Sequence, residues 1–109
     1  MILDKIRKIV ILGGGESGYG SAVLAKTKGF DTFLSDFGQL SDKYRQLLLA
    51  EGIEFEEGGH TTERIIESDL VIKSPGIPEK APIVKALREK GVEIVSEIEF
   101  AYPFSKGKT

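Results

Sequence analysis

The stretch KIVILGGGESGYGSAVLAK, residues 8–26, decides how this chain folds. Residues 9–12, Ile-Val-Ile-Leu, are apolar at consecutive positions, and the first three branch at Cβ. Such a run suits a strand covered on both faces, as the central strands of a parallel sheet are. Gly13, Gly14, Gly15, Glu16, Ser17 and Gly18 follow, and they fit the pattern G-x-G-x-x-G between a strand and a helix. Gly13 permits the sharp turn, Gly15 opens the backbone to a ligand, and Gly18 lets the helix approach the sheet. Amides at the helix start are then placed to hold an anion, with the Ser17 hydroxyl as a further donor. A tight turn with no ligand would also use these glycines.

Working outward, strand and helix signals alternate. A helix is predicted over 21–28, closed by Gly29, and a strand over 31–36. Ser41 is a cap for a helix reaching about Glu51, which Gly52 stops. A short strand over 53–56 precedes the turn Glu57-Gly58-Gly59, and Thr62 caps a short helical turn. DLVIK, residues 69–73, reads as a strand broken by Ser74-Pro75-Gly76. A helix over 81–90 carries Pro82 in its first turn and ends at Gly91. A strand over 92–95 follows, and Ser96 with Glu99 forms a capping box for a last helix that Pro103 ends. Five strands alternating with helices predict an α/β, Rossmann-like three-layer fold with a five-stranded parallel sheet in the order 3-2-1-4-5. A length of 109 residues fits one such domain spanning 1–109.

Composition narrows the function. The formal charge is -2 with no basic stripe, which argues against a nucleic-acid partner. Cysteine is absent, so disulfides, thiolate nucleophiles and cysteine-bound metals are excluded. His60 is the single histidine and cannot supply a multi-histidine metal site. No apolar run approaches ~20 residues, so no membrane span is expected. The start has no cleavage site of a leader, and with the missing cysteines this points to the cytoplasm. The chain ends Gly107-Lys108-Thr109, which resembles only the tail of an ATP-binding loop, because position 102 is tyrosine where that loop needs glycine.

Further candidates cluster at expected strand ends. Asp36 closes the second strand, where an acid accepts hydrogen bonds from an adenosine ribose or from the ring N–H of a pyrimidine. Ser74, Pro75 and Gly76 lie at the end of the fourth strand, on the crevice side where open α/β sheets bind ligands. His60 reads as a surface loop residue. Glu97 and Glu99 read as capping and solvent-facing residues, and no catalytic residue is assigned. Phe100 and Phe104 are candidates for a face toward a further domain.

The strings VILGGGESGYGSAVLAKTKGFDTFLSD, DLVIKSPGIP and GVEIVSEIEFA together resemble the N-terminal domain of the Mur ligases, in the branch that adds D-glutamate. The likeness covers nearly the whole chain. It implies the front domain of a three-domain bacterial enzyme of peptidoglycan synthesis, without the central and C-terminal domains. The full-length ligase is expected to use ATP and Mg to join D-glutamate to UDP-N-acetylmuramoyl-L-alanine, while this part holds no cofactor and performs no chemistry. The resemblance places Gly15, Glu16, Ser17 and Gly18 along the diphosphate. It places Asp36 on the uracil ring with Phe37 and Gly38 lining the base, and Ser74, Pro75 and Gly76 at the nucleotide's border. Some relatives carry a polar residue and then arginine after the aspartate; here Phe37 offers ring contact instead. Two alternatives stand beside this reading: a NAD- or FAD-type dinucleotide domain, and the sister ligase that adds L-alanine.

Overall fold

The computed structural model describes residues 5–106, with side chains through Tyr102. Its elements run β1 (Lys8–Leu12), α1 (Glu16–Thr27), β2 (Asp31–Asp36), α2 (Asp42–Glu51), β3 (Glu54–Glu57), α3 (Thr62–Ile65), β4 (Leu70–Lys73), α4 (Pro82–Lys90), β5 (Glu93–Ser96) and α5 (Glu97–Lys106). The strands form one parallel sheet in the order β3-β2-β1-β4-β5. The expected fold class and strand order are both present.

The continuous apolar run explains why β1 is central. Ile9, Ile11 and Leu12 are fully buried and Val10 nearly so, and covering side chains of this size stabilises the fold by about 1.5–3 kcal/mol each. Ile9 and Ile11 join one core with Ala22 and Ala25 of α1, Leu48 of α2 and Phe100 of α5. Val10 and Leu12 join the other, with Ile65 of α3 and Val84 and Leu87 of α4. The sheet is thus the middle of three layers, and small residues on α1 bring that helix close to it.

Caps explain most boundaries. Ser41 Oγ accepts the Tyr44 amide, and Gly52 and Gly91 close α2 and α4 in the left-handed conformation. Pro82 is at the first position of α4, where a missing N–H costs nothing. Ser96 Oγ accepts the Glu99 amide at 3.1 Å while Glu99 Oε1 accepts the Ser96 amide at 2.8 Å, completing the expected capping box.

Four expectations change. Helix α1 starts at Glu16 rather than at residue 21, because the turn is complete by Gly15. The cap position of α3 is Thr61, and its Oγ1 bonds to Glu56 instead of to the helix. Helix α5 continues through Pro103 to Lys106. Its capping box and the buried Phe100 fix the helix before the proline, which removes only one N–H from the ladder. Phe100 is fully buried inside this domain and does not face outward. The exposed apolar residues of α5 are Ile98 and Tyr102, one helical turn apart, and the side chain of Phe104 lies outside the described residues.

Candidate functional site

Parallel pairing sets the carboxyl ends of the strands level: Leu12 pairs with Ser35 and Lys73, Asp36 with Glu57, and Lys73 with Ser96. All the turns that leave these ends lie along one edge of the sheet.

The turn after β1 carries the glycines. Gly13 has φ +103°, a conformation that L side chains rarely adopt, and its amide donates to the Ser35 carbonyl at 2.9 Å. A Cβ on Gly18 would strike the Gly13 carbonyl, so that glycine is a packing requirement. Gly15 differs: it is exposed and the space where a Cβ would stand is open. Gly15 is also the cap residue of α1 and supplies no side-chain bond to the first turn. The opening amides of α1 therefore face an accessible surface at the positive end of a twelve-residue helix. Glu16 and Ser17 are exposed and sit in that first turn.

Glu97 is half-buried beside Ser17. Burial pushes its carboxyl above the usual range, while the Ser17 hydroxyl opposes the shift. Its Oε2 is buried without a hydrogen-bond partner. The expectation of a solvent-facing Glu97 is corrected accordingly, because α5 packs against α1 and closes over it.

Asp36 braces two turns at once. Its Oδ2 accepts the Gly14 amide and its Oδ1 the Gly38 amide, both at 2.8 Å. The Gly58 amide donates to the Gly38 carbonyl at 2.6 Å, and the Gly59 amide reaches the Asp36 carbonyl at 3.5 Å. Phe37 projects from this brace with 74% of its surface exposed.

The turn after β4 extends the ladder, with the Ser74 amide donating to the Leu12 carbonyl at 3.1 Å. Lys73 Nζ donates to the Ile77 carbonyl at 2.7 Å, and the Ile77 amide donates to the Ser74 carbonyl at 3.1 Å, folding the proline turn back on itself. Pro75 and Gly76 are exposed. Between this turn and Phe37 lies a cavity of about 360 Å³ walled by Phe37, His60, Gly76, Ile77, Pro78 and Ile83 among others.

His60 is not a bystander on a loop. It is half-buried, its ring centre lies 5.7 Å from that of Phe37, and its Nδ1 is 2.6 Å from Ser35 Oγ. Burial pushes the imidazole below its ordinary pKa, against the pull of Glu56 and Asp36. Gly58 and Gly59, both at positive φ, turn the chain so that His60 reaches back over β2. The signal in the sequence was Ser35, a hydroxyl near the end of an interior strand, fully buried and so in need of a partner.

The expected site residues thus fall into neighbouring groups on one edge. Gly15, Glu16, Ser17 and Gly18 form the helix start, with Gly18 buried. Phe37 and Gly76 line the cavity, with Asp36, Gly38, Ser74 and Pro75 behind or beside it. Among the described residues, no group of three or more His, Asp or Glu could hold a metal ion, and no helix is long and apolar enough to cross a membrane.

The pattern of the MurD N-terminal domain family matches residues 8–83, from β1 through the proline turn into α4. The chain belongs to the MurD N-terminal domain family. UDP-N-acetylmuramoylalanine–D-glutamate ligase of Bacteroides fragilis is 56% identical over 103 residues, which is 94% of this chain and 23% of that protein. The enzyme of the same name from Christiangramia forsetii is 57% identical over 100 residues, 92% of this chain and 22% of its own length. This MurD-type domain thus spans about a quarter of the curated relatives it matches. Among solved structures, a pseudomurein peptide ligase type C from Methanothermus fervidus superposes with a TM-score of 0.74 at 27% identity, covering 86% of this chain and 19% of that one. The glycine turn, Asp36 and the proline turn all lie inside the matched segment.

Proposed function

We propose that this domain anchors the uridine diphosphate end of UDP-N-acetylmuramoyl-L-alanine for an ATP-dependent ligase that adds D-glutamate to it in the bacterial cytoplasm. The observation that carries this reading is the adjacency of two unlike surfaces on one sheet edge. One is the uncapped start of α1 at Gly15, suited to a diphosphate. The other is the cavity beside Phe37, suited to a flat base. Asp36, bonded to both turns, joins them.

In this reading the amides at Gly15, Glu16, Ser17 and Gly18 face the diphosphate, and Glu16 contributes backbone because its carboxylate repels phosphate. Asp36, Phe37 and Gly38 form one wall of the base site, and Ser74, Pro75 and Gly76 the other. ATP, Mg and the incoming amino acid belong to the remainder of a full-length ligase. The domain's part is binding energy remote from the reacting carboxylate, which orients that carboxylate for reaction. Relatives named UDP-N-acetylmuramoylalanine–D-glutamate ligase at 56–57% identity support the D-glutamate branch over the L-alanine branch.

The test is an NMR titration of the chain with UDP-N-acetylmuramoyl-L-alanine, run beside NAD. Shifts at Gly15, Ser17, Asp36 and Gly76 with the uridine compound alone are expected. Shifts with NAD alone would overturn the reading in favour of a dinucleotide domain.

A further inference from the structure

Lys73 stands where a lysine is unexpected. It ends β4, an interior strand, and pairs in register with Leu12 on one side and Ser96 on the other. Its side chain is only 16% exposed, and a lysine so covered needs a partner for its charge. Alternation along the strand puts it on the face of Val71, which packs in the core shared with α4. There its ammonium meets the turn that joins β4 to α4. Nζ donates to the Ile77 carbonyl at 2.7 Å and reaches the Ser74 carbonyl at 3.5 Å. Glu79 Oε2 is 3.6 Å away, and Glu79 Oε1 accepts Arg88 Nη2 at 2.6 Å and Nε at 3.1 Å.

That turn has few ties of its own. Pro75 and Pro78 have no N–H to give. The Gly76 amide reaches Ser74 Oγ only at 3.4 Å. The Ile77 amide donates to the Ser74 carbonyl and the Ala81 amide to the Pro78 carbonyl, each at 3.1 Å, which curls the turn locally. Among the described residues no backbone amide bonds to the Ile77 carbonyl, so the Lys73 ammonium is its polar tie to the end of β4. Ile77 and Pro78 wall the cavity that Phe37 also lines. The links of this charged chain differ in weight. The Lys73 bond is charge-assisted and largely covered from water. Glu79 and Arg88 are 60% and 57% exposed, where water and salt screen an ion pair.

We propose that Lys73 is a positioning residue for the cavity: through the Ile77 carbonyl its ammonium holds Ile77 and Pro78 in place as a wall, and Glu79 and Arg88 are dispensable to that role. The use of the wall by a ligand rests on the uridine diphosphate reading; the holding of the wall does not.

Amide exchange in the free chain reads the wall without a ligand, and titrations with UDP and with uridine read its use. Lys73→Met keeps the stem and removes the charge and the donors. It should speed exchange at the Ile77 and Ala81 amides roughly tenfold, with β1 exchanging as in the parent. It should weaken UDP and uridine by one common factor, roughly three- to tenfold. Lys73→Arg, which can still donate to the carbonyl, should recover part of both effects, and Glu79→Gln should leave both near the parent. In the parent, nitrogen-15 NMR should show the Lys73 ammonium protons exchanging with water more slowly than those of the exposed Lys85, a reading that stands even where Lys73→Met does not fold. An ammonium that exchanges as fast as that of Lys85 overturns the assignment. Parent-like exchange at Ile77 and Ala81 in Lys73→Met, or equal loosening in Glu79→Gln, overturns it as well. So does a loss of UDP binding with uridine unchanged, which would make Lys73 a charge for the phosphates. A parent that binds neither UDP nor uridine counts against the uridine diphosphate reading, and the exchange measurements still decide the role of Lys73.

Discussion

The Asp36 carboxylate accepts the Gly14 amide at 2.8 Å, fixing the turn after β1 to the end of β2 across 22 residues of sequence. Its second oxygen holds Gly38 in the same way. Asp36→Ala therefore releases two turns. We expect a loss of about 1–3 kcal/mol, with faster hydrogen exchange at the Gly14 and Gly38 amides. Exchange at those amides equal to the parent's would show that other contacts hold the turns.

Two glycines of one motif should behave oppositely. Gly18→Ala drives a Cβ into the Gly13 carbonyl, which is backbone and cannot turn aside. A stability loss of about 1–3 kcal/mol by urea unfolding is expected. Gly15→Ala enters open space at an ordinary φ of −76° and should stay within about 0.5 kcal/mol of the parent. Its effect should appear instead as weaker binding of UDP, because the new methyl occupies the ligand's approach.

Acid sensitivity has an identifiable source. Arg45 donates to Glu57 through Nε and Nη2, each at 2.9 Å, and the Leu40 amide adds a third bond at 2.9 Å. The Arg45 bonds, then the Leu40 amide, hold Glu57 at about 2, down from 4.5. A carboxylate whose folded pKa is lowered stabilises the fold above its unfolded pKa. That contribution fades as pH falls from the unfolded value toward the folded one. The urea midpoint should fall between about pH 4.5 and 2, and Glu57→Gln should flatten that fall. Glu56, Asp69 and Glu79 are lowered too and remain in the variant, so part of the slope persists. An unchanged slope in Glu57→Gln would exclude the Arg45 pair as a contributor.

The capping box of α5 gives a local test. Ser96→Ala removes the acceptor for the Glu99 amide and should cost about 1 kcal/mol. Loosening should concentrate in α5, seen as faster amide exchange there, with β1 and β4 unaffected.

The central place of β1 was legible because residues 9–12 are apolar without alternation and so demand cover on both faces, while the order of the strands around it followed from the habit of folds that alternate strand and helix. The glycine motif was legible from its place between a strand and a helix. The start of α1 was not, since Gly18 and Gly20 lower helix propensity over the residues that form its first turns. Gly18 is helical because it packs on the Gly13 carbonyl, a contact that no local pattern records. The cavity was half legible: Phe37 and Gly76 were candidates, whereas Ile77, Pro78 and Ile83 gain their role only where the proline turn meets α4. His60 does lie in a loop, but its half-burial and its bond were missed because its partner stands 25 residues earlier in a different strand. Phe100 was misplaced because a helix carrying Ile98, Phe100 and Tyr102 does not announce which of them turns inward.

The lacing of the turns after β1, β2 and β3 through Asp36 and Gly38 has a kinetic and calorimetric consequence. The rim is set before any ligand arrives, so association resembles two rigid bodies docking, with little loop ordering to oppose it. The heat-capacity change on binding should then scale with the surface covered at the cavity alone, without the larger signature of coupled folding.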